Sequence, residues 1–242
     1  MYNNTDMIYD DVPISSYLVV EEIERPLLAN LNNNTIKVPG RNGILFSNQQ
    51  MNESTIRVHL RIIEDIRQDV LVVAEELKRD LKLTDQRKLY KLKLRDYPDR
   101  FDMVKLNTSP DFDKFFNKGQ ITLDFINPYG TMFSDNETTV ISTSFDYKGT
   151  AETYMTMKLT ASGANPATIQ NVSTGDVITL NGLSASDSVE IDFREETVTI
   201  NSNLRMDTLN LDSDFWGVRH GVNNISLTNL TLNQITYRER WL

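Results

Sequence analysis

The chain has 242 residues, 39% apolar, 9% aromatic and 24% charged, which is enough apolar material for one large domain or two of ordinary size. It has no cysteine and only two histidines, His59 and His220, which excludes a disulfide framework, a thiolate metal site, a cysteine nucleophile and a histidine-rich metal centre. Its 25 basic and 34 acidic residues give a formal charge of −9, a balance that repels nucleic acid and anionic lipid.

Met1 to Ser16 carries Asp6, Asp10 and Asp11 without a basic residue or an apolar run, so it does not read as a signal peptide. No stretch approaches the ~18 consecutive apolar residues of a membrane span. Ser16–Val20 and Thr35–Val38 read as short strands around an Asn-rich turn at Asn30–Asn34, and Pro39-Gly-Arg-Asn-Gly43 reads as a compact turn. Thr55–Ile63 alternates at strand period, with Ile56, Val58, Leu60 and Ile62 against Arg57, His59 and Arg61. The one convincing helix covers about 68–81: Ile66, Val70, Val73, Leu77 and Leu81 form its apolar stripe, with Asp65 or Asp69 as N-cap. Lys88–Leu94, the turn Asp96-Tyr-Pro-Asp99, Phe101–Leu106 and Lys118–Ile126 follow, ending on Asn127-Pro-Tyr-Gly130.

Composition then shifts. Up to Gly130 there are 18 basic and 20 acidic residues, whereas beyond it there are 7 and 14, together with 17 of the 23 threonines. Threonine suits strands and lysine is depleted in them. The polar stretch Phe133–Thr139 reads as a linker, giving domains of 1–133 and 134–242. The second domain reads as strand throughout: Tyr154–Thr160, Thr168–Val172, Asp176–Leu180, Ser188–Arg194, Thr197–Asn201, Met206–Leu211, Asn224–Leu227 and Asn233–Trp241, with a tight hairpin at Glu195-Glu196. Eight Asn-x-Ser/Thr triplets follow from 23 Asn and 39 Ser plus Thr, and without an export signal they are not read as glycosylation sites.

No catalytic, cofactor or metal site is legible. Glu190 and Asp192 fall two apart on the solvent face of one strand, where nothing raises the pKa of a general acid. Glu195/Glu196 and Asp212/Asp214 fare no better. Phe215 and Trp216 beside Asp214 are the exception, since aromatics next to an acid can form a sugar-binding shelf. His59 and His220 have no nucleophile motif or second His near them and read as surface residues. Lys88, Lys91, Lys93 and Arg95 alternate with apolar residues, as on an exposed strand face.

The order of these signals resembles the distal tail protein family of siphophages that infect Gram-positive bacteria. Tyr17-Leu-Val-Val, Val38-Pro-Gly-Arg-Asn-Gly43, the Thr55–Ile63 strand and its helix, Tyr97-Pro98-Asp99 and Asn127-Pro-Tyr129 carry the first half. Val189-Glu-Ile-Asp192, Ser213-Asp-Phe215, Gly221-Val-Asn-Asn-Ile225 and the terminal Ile235–Leu242 carry the second. The resemblance implies a mainly β fold: an N-terminal β-sandwich with one α-helix and a C-terminal galectin-like β-sandwich.

It further implies a virion protein at the tail tip, made in the host cytoplasm and without enzymatic activity. A homo-hexameric ring would join the tail tube to the tail-associated fibre or lysin protein and let DNA pass without stable nucleic-acid or membrane binding. Some relatives grip receptor-binding proteins through an inserted arm, against which the short C-terminal loops here argue. The alternative is a carbohydrate-binding module for host-surface adhesion using Trp216, Phe215 and Asp214. The galectin sugar constellation is not found, since His220 sits in a turn near the end.

Overall fold

The computed structural model describes residues 6–63, 70–82, 87–107 and 118–242. It divides into two compact units, Met1–Asp135 with Leu242, and Asn136–Trp241.

The first unit contains β1 (Met7–Tyr9), β2 (Val12–Pro13), β3 (Leu18–Glu24), β4 (Leu31–Ile36), β5 (Leu45–Met51) and β6 (Ser54–Ile62). The helix α1 (Val70–Asp80) and the strands β7 (Tyr90–Leu94), β8 (Arg100–Leu106), β9 (Gln120–Asn127) and β10 (Met132–Ser134) follow. Seven strands form an antiparallel sheet in the order β2-β1-β7-β8-β9-β6-β3, and β10 pairs with β8. Alternation fixes its register. Ile56, Val58 and Leu60 of β6 face Phe125, Leu123 and Ile121 of β9, and all six are buried. On the opposite face Arg57 lies across from Asp124 and donates to it at 2.7 Å. The helix closes this core with Val70, Val73, Ala74 and Leu77, so the apolar stripe read from the sequence is the buried one. Ile66 and the expected caps Asp65 and Asp69 lie outside the described residues.

The Asn-rich stretch corrects the sequence reading. Asn32, Asn33 and Asn34 lie within β4, which pairs with β5 alone. Asn is a poor strand former where a sheet face must be buried, but both faces of this ribbon are exposed and its amides pair across the strands. Gln49 donates to Asn33 at 2.8 Å and Asn34 donates to Asn48 at 2.6 Å. The turn expected at Pro39–Gly43 is present: Gly40 and Gly43 take the left-handed φ values 78° and 88° that glycine adopts without a Cβ penalty.

The second unit is a pair of packed antiparallel sheets. One runs β11 (Thr138–Val140), β20 (Leu230–Tyr237), β13 (Met155–Ala161), β16 (Ser188–Asp192), β17 (Thr197–Ile200) and β18 (Asn203–Leu204). The other runs β12 (Ser144–Tyr147), β19 (Gly221–Thr228), β14 (Ala167–Asn171) and β15 (Val177–Leu180). Met157, Leu159 and Ile191 from the first sheet meet Tyr147, Ile169 and Ile178 from the second in one dry core. The Asn233–Trp241 strand is interrupted after Tyr237 and resumes as β21 (Arg240–Trp241).

Met206–Leu211 is not a ladder strand. Met206–Thr208 forms a 3-10 turn, and the chain then runs along the open side of β15. There Asn181 N donates to Thr208 O, Asn210 N to Thr179 O and Asp214 N to Val177 O, which satisfies edge groups that would otherwise invite another strand.

Candidate assembly surface

The β4–β5 ribbon is the least buried part of the first unit. Leu27 at its root is 91% exposed, and Ile44 and Phe46 toward its tip are 65% and 61% exposed. Ile36, Val38 and Leu45 are exposed as well. From Pro26 to Asn52 there is no carboxylate, and the only charges are Lys37 and Arg41. This finger combines amides with exposed apolar side chains and is weakly cationic in a molecule of net charge −9. Ile36 and Leu45 are register partners on one face and Phe46 lies on the other, a density of exposed large apolar side chains that suits a binding surface.

Its root is held by a polar network that spacing in the sequence does not reveal. Arg25, just ahead of the finger, donates to Asp102 of β8 at 2.7 Å and to Asp96 at 3.1 Å. Asp102 is buried and also accepts from Asn127 Nδ2 at 2.9 Å, and the same amide nitrogen donates to Thr131 O at 3.0 Å. Burial raises the Asp102 pKa above the ordinary carboxylate range, and Arg25 and Asn127 offset this only in part. Burial alone would lower the Arg25 pKa, but Asp102 and the second carboxylate, Asp96, carry it above its ordinary value. The cation is thus doubly served and the anion is the costly partner. Across the root, Asn52 N donates to Asn30 O at 2.7 Å, and Gly130, at φ 61°, leaves no room for a Cβ against Ala29 and Asn52.

The residues singled out from the sequence are dispersed. Trp216 is 7% exposed and packs edge-on to Phe193 at 4.9 Å, and Phe215 meets the same ring at 5.8 Å. Both aromatics therefore face the core of the second unit, while the backbone of Asp214 serves the β15 edge. Glu190 is exposed beside Lys158 at 3.7 Å. Asp192 accepts from the backbone N–H of Arg194 and Glu195 and so shapes the Glu195-Glu196 turn. His220 is hydrogen-bonded to Gly149 O at 3.1 Å.

His59 is half-buried rather than a plain surface residue, lying between Thr122 at 3.1 Å and Glu24 at 2.8 Å. Its ring, Glu22 and Glu24 bring three potential ligand atoms together, but Arg57 also donates to Glu24 at 3.1 Å, a cation where a metal ion would need none. The basic strip is neutralised locally. Lys91 and Lys93 both reach Asp135, at 2.8 and 2.5 Å, and their hydrogen bonds hold its pKa below the usual range. Arg95 pairs with Asp6 at 3.3 Å, and Lys88 lies 4.0 Å from Asp10.

The family model described as "Phage tail protein RIFT-related domain" matches residues 11–127, and that described as "Siphovirus-type tail component, C-terminal domain" matches residues 148–241. Among solved structures, the chain is similar to the SPP1 Dit (gp 19.1) protein, described as a paradigm of hub adsorption apparatus in Gram-positive infecting phages. That match has a TM-score of 0.77 at 16% identity and covers 98% of each chain. A chain of the phage P2 baseplate in its activated conformation with Ca matches at TM-score 0.44 and 10% identity, over 94% of this chain and 91% of that one. No relative among curated protein sequences matches.

Proposed function

This chain belongs to the distal tail protein family of siphoviruses, and on that footing we propose that it forms a hexameric ring at the tail tip, joining the tail tube to the tail-associated fibre or lysin protein. It is a structural component of the phage tail and not an enzyme. On this reading the N-terminal unit builds the ring.

The observation that carries self-assembly is the exposed finger. Burying its exposed apolar side chains against another copy gains roughly 25 cal/mol for each Å² removed from water, and the ribbon's amides already pair with one another across the strands. Charge supports the passage of DNA through the ring. Each lysine–phosphate contact in the channel would hold the cargo, and the ring-building part, with 18 basic against 20 acidic residues up to Gly130, has no surplus of cations to make them.

Light scattering and negative-stain microscopy of the purified protein test this reading. A hexamer seen as a six-fold annulus, reduced to folded monomer by Phe46→Asp, is expected. A wild-type protein that stays monomeric at every concentration, or rings unaffected by Phe46→Asp, overturns the role given to the finger.

A further inference from the structure

Resting on the ring reading, we infer that the finger tip of one copy seats on the outward face of α1 in the next copy. Among the described residues of the first unit, exposed large apolar side chains outside the finger and its root are scattered singly, as Val12, Val19, Tyr97 and Tyr129, with one exception. Leu71 and Val72 are adjacent on α1 and stand 60% and 53% exposed.

The next turn of the helix adds the matching charge. Glu75 follows Leu71 by four residues and Val72 by three, so all three share one helix face. Its current partner is Lys78 at 2.8 Å, an exposed i,i+3 pair of small worth that is readily exchanged for Lys37 or Arg41 of an incoming finger. Lys78 and Arg79 follow on the same exposed side, so the contact rests on the apolar pair, and Glu75 meets a finger cation only where Lys78 gives way.

This platform is backed by the core. The opposite side of α1 is fixed in the core by Val70, Val73, Ala74 and Leu77, and Glu76 accepts from Ser15 Oγ at 2.9 Å. Finger and helix face are different surfaces, so each copy offers one of each. Such a head-to-tail contact repeats around a ring, whereas a self-complementary patch would stop at a dimer.

The absence of native cysteine makes the contact directly measurable. Full-length Phe46→Cys and Leu71→Cys chains, prepared separately, are mixed and oxidised. A disulfide between the two variants, forming several-fold faster than in either variant alone, supports the docking. Glu75→Lys is expected to weaken assembly by about tenfold or more, and Lys37→Glu with Arg41→Glu in the same chain to restore it.

The docking is overturned if Phe46→Cys couples to itself as fast as to Leu71→Cys, or if Val72→Asp chains assemble like wild type. It is likewise overturned if the charge exchange restores nothing. A wild type that assembles while Val72→Asp also assembles refutes only this contact. A wild type that never assembles refutes the ring reading with it.

Discussion

Arg25 donates to Asp102 at 2.7 Å across 77 positions of sequence, tying the start of the finger to strand β8. The aspartate lies deep and the arginine has a second carboxylate in reserve, so the two ends of the pair are unequal. Asp102→Asn keeps the shape but removes the charge that justifies burying Arg25. A loss of about 3 kcal/mol in urea unfolding of the first unit is expected. Arg25→Met together with Asp102→Leu is expected to recover most of it, because an apolar pair leaves no orphaned charge.

Gly130 meets two separate constraints. Its φ of 61° is unfavourable for any side chain, and a Cβ would lie 2.7 Å from Asn52 O and from the Ala29 side chain. Gly130→Ala is expected to cost about 2 kcal/mol and to open the finger root. Limited proteolysis should then cut between Leu27 and Asn52 sooner than in the wild type.

Trp216→Ala separates a core residue from a surface platform. A ring packed on Phe193 inside the second unit leaves a cavity when removed, and a loss of about 3–5 kcal/mol is expected in thermal or denaturant unfolding. An unchanged unfolding midpoint would contradict the packing described.

Tyr147 provides a test in alkali. Its hydroxyl donates to Ala151 O at 2.7 Å and accepts from Arg240 N at 2.9 Å. Burial pushes its pKa up to about 12 from an ordinary value near 10. The folded state thus favours the neutral phenol. Its contribution is complete below about pH 10 and is lost as pH rises toward 12, a span worth about 3 kcal/mol. Unfolding of Tyr147→Phe is expected to depend less steeply on pH between 10 and 12 than that of the wild type. Tyr237, whose pKa is also raised by burial, supplies a residual slope in both proteins.

Strand period and helix period were legible because burial enforces them. Ile56, Val58 and Leu60 must alternate to meet β9, and Val70, Val73 and Leu77 must share a stripe to cover the core. Where burial does not act, the pattern misleads. The β4 asparagines look like a turn because the strand they form has no inside face, and Met206–Leu211 looks like a strand although it lends backbone hydrogen bonds to the β15 edge instead of joining a ladder, with Met206 and Leu211 exposed. The root network was invisible for another reason: Arg25, Asp102 and Asn127 have no spacing rule linking them, only a fold that brings them together. The finger did leave a trace, a run from Pro26 to Asn52 without one acidic residue, which carries meaning only once its exposure is known.

That run has one further effect. No Asp, Glu, His, Tyr or Cys lies between Pro26 and Asn52, so nothing there titrates between strong acid and the range where lysine loses its proton. The finger keeps its two positive charges while every carboxylate elsewhere neutralises on acidification. Attraction between finger and body at neutrality therefore turns to repulsion in acid, and the sign of that force is decided wholly by the surface that receives the finger.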